Sequence, residues 1–144
     1  IIKIAYMSLD FIYTFQLQIL ETLKKLLGEH VNQIYISVAQ DGNYPFILIN
    51  FIKADNYSNP MQAVYLLEFE ICIFSREHNK KRSLNISDLV VSLLSADKLK
   101  IPRYTVAGLK LNDLFFDEAR DLVHNKLTMS YKTIIKKEVL NELS

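Results

Sequence analysis

Leu66-Leu67-Glu68-Phe69-Glu70-Ile71-Cys72-Ile73-Phe74-Ser75 decides the fold class of this chain. Leu67, Phe69, Ile71 and Ile73 alternate with Glu68, Glu70, Cys72 and Phe74, the period of a pleated strand that turns one face to a core. Glu68 and Glu70 project to the opposite face and require that face to be wet at their end. The strand pattern reaches back to Met61, so Met61 to Ser75 is the longest in the sequence.

Working outward, the upstream segment Tyr44 to Ile52 reads as a strand apolar on both faces. Pro45 belongs near its start, because proline cannot donate to a ladder from a central position. Gln33 to Val38 is a shorter strand, and Asp41-Gly42-Asn43 has turn chemistry. Lys53 to Asn59 is polar and precedes Pro60, which predicts a solvated loop. At the beginning of the chain, Ser8 or Asp10 is placed to cap a helix running to about Leu27, with Gly28 as its stop. Leu9, Ile12, Ile19, Leu20, Leu23, Leu26 and Leu27 form its apolar stripe, and Phe11, Tyr13, Phe15 and Leu17 widen it.

Downstream, Arg76 to Arg82 is a charged turn leading into a second helix, with Ile86, Leu89, Val90, Leu93 and Leu94 at amphipathic spacing. Asn85 with Asp88, or Ser83 slightly earlier, supplies its start signal, and Ser95 to Pro102 ends it. Arg103 to Ala107, Leu109 to Phe116 and Leu127 to Lys136 read as strands, the first two separated by a turn at Gly108. The order helix, strands, helix, strands predicts an α+β fold: a mostly antiparallel sheet with two main helices packed on one face.

The 144 residues fit one domain large enough to bury a core without disulfides or metal. Half the residues are hydrophobic and 23% are charged, a globular rather than disordered balance. Lys and Arg number 17 against 16 Asp and Glu, for a net charge of +1. A dedicated duplex-DNA binder carries a basic excess, because phosphate neutralisation dominates its affinity, and this chain lacks one. The single Cys72 excludes an intrachain disulfide and a cysteine-based zinc site. Ile1 to Tyr6 is too short for the apolar region of a secretory signal, and no run has the length of a membrane helix. Residues 1–7 are expected to be an N-terminal extension, with Met7 a candidate start. Residues 8–140 are expected to form the domain, and 141–144 a polar tail.

His78-Asn79-Lys80 and His124-Asn125-Lys126 repeat one tripeptide, and a His–Asn pair belongs to some metal nucleases. Further ligands at fixed offsets are missing, and both tripeptides read as surface turns. Asp117, Glu118 and Asp121 are an acidic cluster without the alternating oxygen donors of a calcium loop, and Arg120 is the natural ion-pair partner for one of them. Arg76, Lys80, Lys81 and Arg82 are the densest basic group, placed against the macrodipole of the helix they introduce. They read as a solvated turn or as a contact for an acidic neighbour or passing DNA. Isolated glycines make no phosphate cradle, and no nucleophile has a placed base. No catalytic group, metal or cofactor is implied.

Three short motifs occur in order: Tyr44-Pro45-Phe46-Ile47, Phe74-Ser75-Arg76, and Val106 to Arg120, which opens at Gly108 and closes on Asp117-Glu118-Ala119-Arg120. Together with the helix Ile86 to Leu94 and the strand Leu127 to Lys136, they resemble the tail-completion, or tail terminator, proteins of long-tailed phages and their gene-transfer-agent relatives. The resemblance covers about Leu9 to Val139. It implies a small non-enzymatic α+β protein that assembles as a ring, typically sixfold, on the head-proximal end of the tail tube. Such a ring stops tube polymerisation and joins tail to head. Its partners would be copies of itself, the tail tube protein and the head-completion or neck proteins, with DNA only in transit and no membrane. Its place would be the virion or a phage-like particle, and the bacterial cytoplasm during assembly. Under that reading, the segments Lys53 to Asn59 and Arg76 to Arg82 project toward neighbours. Candidate contact residues are Lys53, Asp55, Asn56, Tyr57, Arg76, Lys80, Lys81, Arg82, Asp117, Glu118 and Arg120. Lys80-Lys81-Arg82 is more basic than the family pattern. A stopper or adaptor ring, a polymerising tail-tube protein, a metal nuclease and a plain scaffold domain remain as alternatives.

Overall fold

The alternation that marks Leu67 to Ile73 is carried by the third strand of a five-stranded sheet. The computed structural model describes residues 10–36, 44–76, 80–117 and 124–138. Its strands are β1 (Gln33–Ile36), β2 (Phe46–Asn56), β3 (Val64–Ser75), β4 (Tyr104–Asp117) and β5 (Asn125–Lys137), ordered β1-β2-β3-β5-β4 across the sheet. Only the β1–β2 pair is parallel; the other three pairs are antiparallel. The helices α1 (Asp10–Leu23) and α2 (Lys81–Leu93) pack on one face, which makes the α+β arrangement expected from the sequence.

Ile47 and Ile49 of β2, Leu67, Phe69, Ile71 and Ile73 of β3, and Leu127, Met129, Tyr131 and Ile135 of β5 point into the helix-covered core. The first helix enters this core along the stripe read from the sequence, with Ile19, Leu23 and Leu26 fully buried, and two of the aromatic residues that widen the stripe go in with them. Phe11 and Phe15 are buried, whereas Leu17, Leu27 and Tyr13 are exposed. Phe11 stacks on Tyr104 at 4.8 Å, and Phe15 meets Phe69 edge-on at 5.2 Å. Aromatic rings reach farther across the helix–sheet gap than leucine, so they set the rotation of α1. The helix then tightens into a 3-10 turn at Lys24–Leu26 instead of continuing to Leu27. Gly28, at φ 90, takes the left-handed conformation expected of a stop residue.

Four sequence expectations are corrected by the structure. The predicted loop Lys53 to Asn59 is half strand: β2 continues through Lys53, Ala54, Asp55 and Asn56, and only then turns. A bulge between Phe51 and Lys53 explains why the pattern looked broken. With one extra residue opposite β3, Lys53 faces Glu68 on the open side of the sheet instead of following Phe51 into the core. Gly108 likewise makes no turn between two strands. At φ 61 it lies in a bulge of the single long strand β4, whose register shifts between Ala107 and Lys110 and again between Leu111 and Asp113. Those shifts account for the irregular spacing of Val106, Leu109, Leu111, Leu114 and Phe116, which period-two alternation cannot produce. Ser83 does not cap α2: the helix starts at Lys81 without a side-chain cap, and the buried Ser83 hydroxyl donates to Asn125 Oδ1 at 2.8 Å. Met61, expected within β3, lies in the preceding turn.

Tyr131 is the one buried polar side chain without a hydrogen-bond partner among the described residues. It stacks on Phe69 at 5.2 Å, and burial pushes its pKa up to about 12. Between about pH 10 and pH 12 an unfolded chain sheds this proton while the folded one keeps it, so stability falls as pH rises. Tyr131→Phe is therefore expected to lessen that decline by about 1.4 kcal/mol per pH unit relative to the parent. At pH 7 it should leave stability equal or up to about 1 kcal/mol higher, as read by urea denaturation at each pH. By contrast, Phe15→Ala should cost about 3–5 kcal/mol in the same assay, because it removes the ring that seats α1 on β3. A loss below about 1 kcal/mol would show that α1 is anchored elsewhere.

Candidate interaction surface

The strands β3 and β5 pair without interruption from Val64–Lys136 to Ser75–Asn125, so side chains on the open face of the sheet form straight cross-strand rows. One row is aromatic and charged: Phe46, Phe74, Lys126 and Asp117. The next contains Leu48, Cys72, Thr128 and Phe115; the Cys72 thiol is buried and its pKa is raised chiefly by desolvation. Farther along, Lys53, Glu68, Lys132 and Lys110 line up. Glu68 is gripped from both sides, by Lys132 Nζ at 3.1 Å and Lys53 Nζ at 3.9 Å, and Lys53 also meets Asp55 at 3.4 Å. On this face Lys53, Lys110, Lys126, Lys132 and Lys136 are matched in number by Asp55, Glu68, Glu70, Asp113 and Asp117. The open face is thus charge-balanced and is wet at the end of Glu68 and Glu70, as those residues required, whereas Phe46, Cys72 and Thr128 nearer its other end are buried.

The candidate contact residues fall in three places along this framework. Lys53 and Asp55 lie in the middle of the sheet, in strand and ion-paired, and do not project from a loop. Asn56 and Tyr57 begin the β2–β3 hairpin at one end. Arg76, Lys80 and Asp117 lie at the other end, each against a residue of another motif that the sequence reading had not joined to it. There the Arg76 guanidinium lies 5.5 Å from the Tyr44 ring centroid, and Lys80 Nζ lies 4.6 Å from that of Phe116. Asp117 pairs with Lys126 at 3.5 Å. Lys81 and Arg82 are exposed in the first turn of α2, which contains no acidic residue, so the unfavourable placement against the helix dipole is real. Glu118, Arg120, Asp121 and the His78-Asn79 pair lie outside the described residues, and so does the Asp41-Gly42-Asn43 turn.

The second tripeptide is not a surface turn. His124 packs against Tyr44 at 5.2 Å, Asn125 is buried at the start of β5, and Lys126 is the ion-pair partner of Asp117. Among the described residues, no group of three or more His, Cys, Asp or Glu side chains is arranged to hold a metal ion. No helix among them is long and apolar enough to cross a membrane.

A groove of about 530 Å³ opens beside the start of β4. Leu99, Ile101 and Tyr104 contribute its apolar part, and Asp97, Lys100, Arg103 and Glu138 bring charges of both signs. Hydrogen bonds from Ser95 and from its own backbone hold the Asp97 carboxyl below its usual pKa, and burial raises that of the Tyr104 phenol. Ile101 to Tyr104 is a tight turn closed by Tyr104 N–H donating to the Ile101 carbonyl at 3.1 Å. Pro102 sits at its second position, and Arg103, at φ 70, occupies the third, where glycine is favoured. No sequence signal singled out this turn, because Pro-Arg does not announce a left-handed residue.

The whole described fold superposes on a known one. Over 90% of this chain and 99% of the other, it matches a chain from the "Virion of native gene transfer agent (GTA) particle", with a TM-score of 0.69 at 13% sequence identity. The two chains share a fold. No family model matches the sequence, and no curated protein matches it.

The ion-pair row offers a direct check of the open face. Glu68→Gln is expected to lower stability by about 0.5–1 kcal/mol at low ionic strength. That loss should fade as salt approaches about 1 M, where screening removes the attraction of Lys53 and Lys132. A salt-independent loss in guanidine-free thermal melts would mean that Glu68 acts through packing instead.

Proposed function

We propose that this protein is a structural component of a phage-like particle, forming a ring that caps the head-proximal end of the tail tube and joins tail to head. The carrying observation is the near end-to-end match in fold to a chain of a gene transfer agent virion, over 99% of that chain. The match spans 90% of this chain and 99% of the other, so the likeness extends over the sheet and its helices and is not confined to a fragment of either chain. The motif order Tyr44-Pro45-Phe46, Phe74-Ser75-Arg76, Gly108 to Asp117 supports the terminator assignment within that setting.

The surfaces suit such a part. A sheet with its apolar face sealed by α1 and α2 leaves two strand ends and two flanks for neighbours. A head-to-tail contact between flanks closes into a ring when its rotation divides a full turn. The basic end formed by Arg76, Lys80, Lys81 and Arg82 is a contact for an acidic partner ring, and the near-neutral chain lets DNA pass without adhering. The role requires no catalytic group, and none of the proposed contacts is assigned one.

Purified protein is expected to give closed rings by light scattering and negative-stain imaging, alone or when mixed with its own tail tubes. Rings seated on tube ends, with tube growth halted, are the expected result. Rings that bind isolated head-connector complexes but ignore tube ends would move the assignment to a stopper or adaptor. Combined Arg76→Ala and Lys80→Ala substitution should leave the folded monomer intact and reduce completed particles at least about tenfold, since exposed charges contribute little to folding. Normal particle yield from that variant would remove the basic end from the contact map.

A further inference from the structure

The edges of the sheet are β1 and β4, and among the described residues no strand pairs with the outer side of either. A bare edge is a template for another chain, and bulges and charges are the usual guards against that. β4 is guarded along most of its length. Its register shifts between Ala107 and Lys110 and again between Leu111 and Asp113, and Lys110 stands between the two shifts. The guard ends at Asp113. From there to Asp117 the strand pairs with β5 without a bulge, and its middle is apolar on both faces. Leu114 is 39% and Phe115 41% exposed. They project to opposite faces, so a layer laid over either face covers only one of them, whereas a strand added at the edge covers both. The Leu114 amide donates to Oδ1 of the preceding Asp113 at 2.9 Å, an exposed local bond that the carbonyl of an added strand can replace.

The opposite edge of the same sheet stands level with this segment. The row through Phe46, Phe74 and Lys126 has Gln33 at one end and Asp117 at the other. The next three rows join Ile34 to Phe116, Tyr35 to Phe115 and Ile36 to Leu114. β1 consists of these four residues alone, so its whole length matches the unguarded end of β4. One parallel and three antiparallel pairings separate the two edges, and they therefore run in opposite directions. A second copy related to the first by rotation about an axis along the strands brings its β1 antiparallel to β4. The four rows then continue from one sheet into the next. Within one chain the two edges are four strand spacings, about 19 Å, apart, so they meet only between copies.

We infer that β1 of one copy adds to the β4 edge of a second, Gln33–Ile36 running antiparallel to Leu114–Asp117. Face by face the pairs agree. On the helix-covered side Ile34 meets Phe116 and Ile36 meets Leu114, and on the open side Tyr35 meets Phe115 as an aromatic cross-strand pair. Gln33 brings an amide donor to the Asp117 carboxylate, and no like charges are opposed. The other ways of pairing these edges fit worse. β4 against β4, two-fold about Phe115, sets Asp113 opposite Asp117 twice, a repulsion between carboxylates. β1 against β1 leaves Leu114 and Phe115 uncovered. The β1–β4 contact joins two different surfaces, so every copy offers one of each and the contact repeats around a ring. This inference rests on the ring-forming reading above and names the contact that closes the ring.

The test uses the full chain with one added cysteine, Tyr35→Cys or Phe115→Cys. The native Cys72 is buried, and although it shares their row it is two strand spacings, about 10 Å, from either position, beyond the reach of a disulfide. The two variants are mixed under mild oxidation, alone and with tail tubes, at concentrations at which light scattering detects assembly of the parent. They should give a disulfide-linked heterodimer that neither gives by itself. A homodimer of Phe115→Cys without the mixed product reports β4 against β4 and overturns the inference, as does the lack of any cross-link. In either case closed rings of the parent leave the ring reading standing, whereas parent that stays monomeric with and without tubes takes both down. Phe115→Lys gives an independent readout. It should leave the unfolding midpoint of the monomer nearly unchanged, because the side chain is exposed, and weaken self-association about tenfold or more. Adding Tyr35→Glu to the same chain should restore much of that association, since the two new charges face each other only across the boundary between copies. A merely destabilised monomer gives no such rescue. Unchanged association in Phe115→Lys also overturns the inference.

Discussion

The unbroken pairing of β3 with β5 is the constraint on which the other elements depend. From Val64–Lys136 to Ser75–Asn125 the two strands run without a bulge, and the buried side chains Leu67, Phe69, Ile71 and Ile73 line up with Thr133, Tyr131, Met129 and Leu127. Every bulge lies in the strands outside this pair. Two central strands with a fixed register define an apolar platform for α1: Phe15 meets Phe69 of β3, and Phe11 reaches Tyr65 of β3 and Tyr104 of the outer strand β4. The outer strands are then free to bend, and bulges bend strands and increase their twist. Rigidity at the centre and irregularity at the margins arise from the same division of labour.

That division sets which surfaces the fold leaves available for contacts. Central strands spend their hydrogen bonds on each other, whereas the flanks keep exposed side chains and backbone edges. The hairpin at Tyr57 and Met61, the turn at Arg103 and the basic end at Arg76 and Lys80 all belong to margins. Between them the open sheet face is occupied by paired charges, of which Lys53, Glu68 and Lys132 form the tightest group. A face so neutralised attracts little, and the margins are left to carry specificity.

Strength of local signal decided which residues were legible beforehand. The alternation in β3 and β5 is regular because both strands have one core face and no bulges, and the reading of those strands survives nearly residue for residue. Lys53 to Asn59 reads as loop because it is polar and precedes Pro60, yet its first four residues continue β2. The bulge at Ile52 rotates Lys53 outward, and a bulge leaves no mark in a sequence unless glycine fills it. Gly108 did leave a mark, but glycine at positive φ serves turns and bulges alike. Ser83 was read as a cap from its type, whereas its hydroxyl is bonded to Asn125, which is 42 positions away in the chain.

The sequence by itself determined the α+β class, the central strand and its wet and dry faces, the second helix, and the lack of a recognisable catalytic constellation. Those properties follow from periodicity and residue chemistry within a few positions, which are local quantities. Tertiary structure alone decided that Phe11 and Phe15 orient α1, that Lys53 turns to Glu68, and that Arg76, Lys80 and Asp117 share an end of the sheet with Tyr44, His124 and Lys126. It also decided that Arg103 adopts φ 70 beside a groove tied to the hairpin through consecutive amides of β5. Each of these depends on which distant segments pair and in what register, and a one-residue change of register would reverse the face on which every side chain falls.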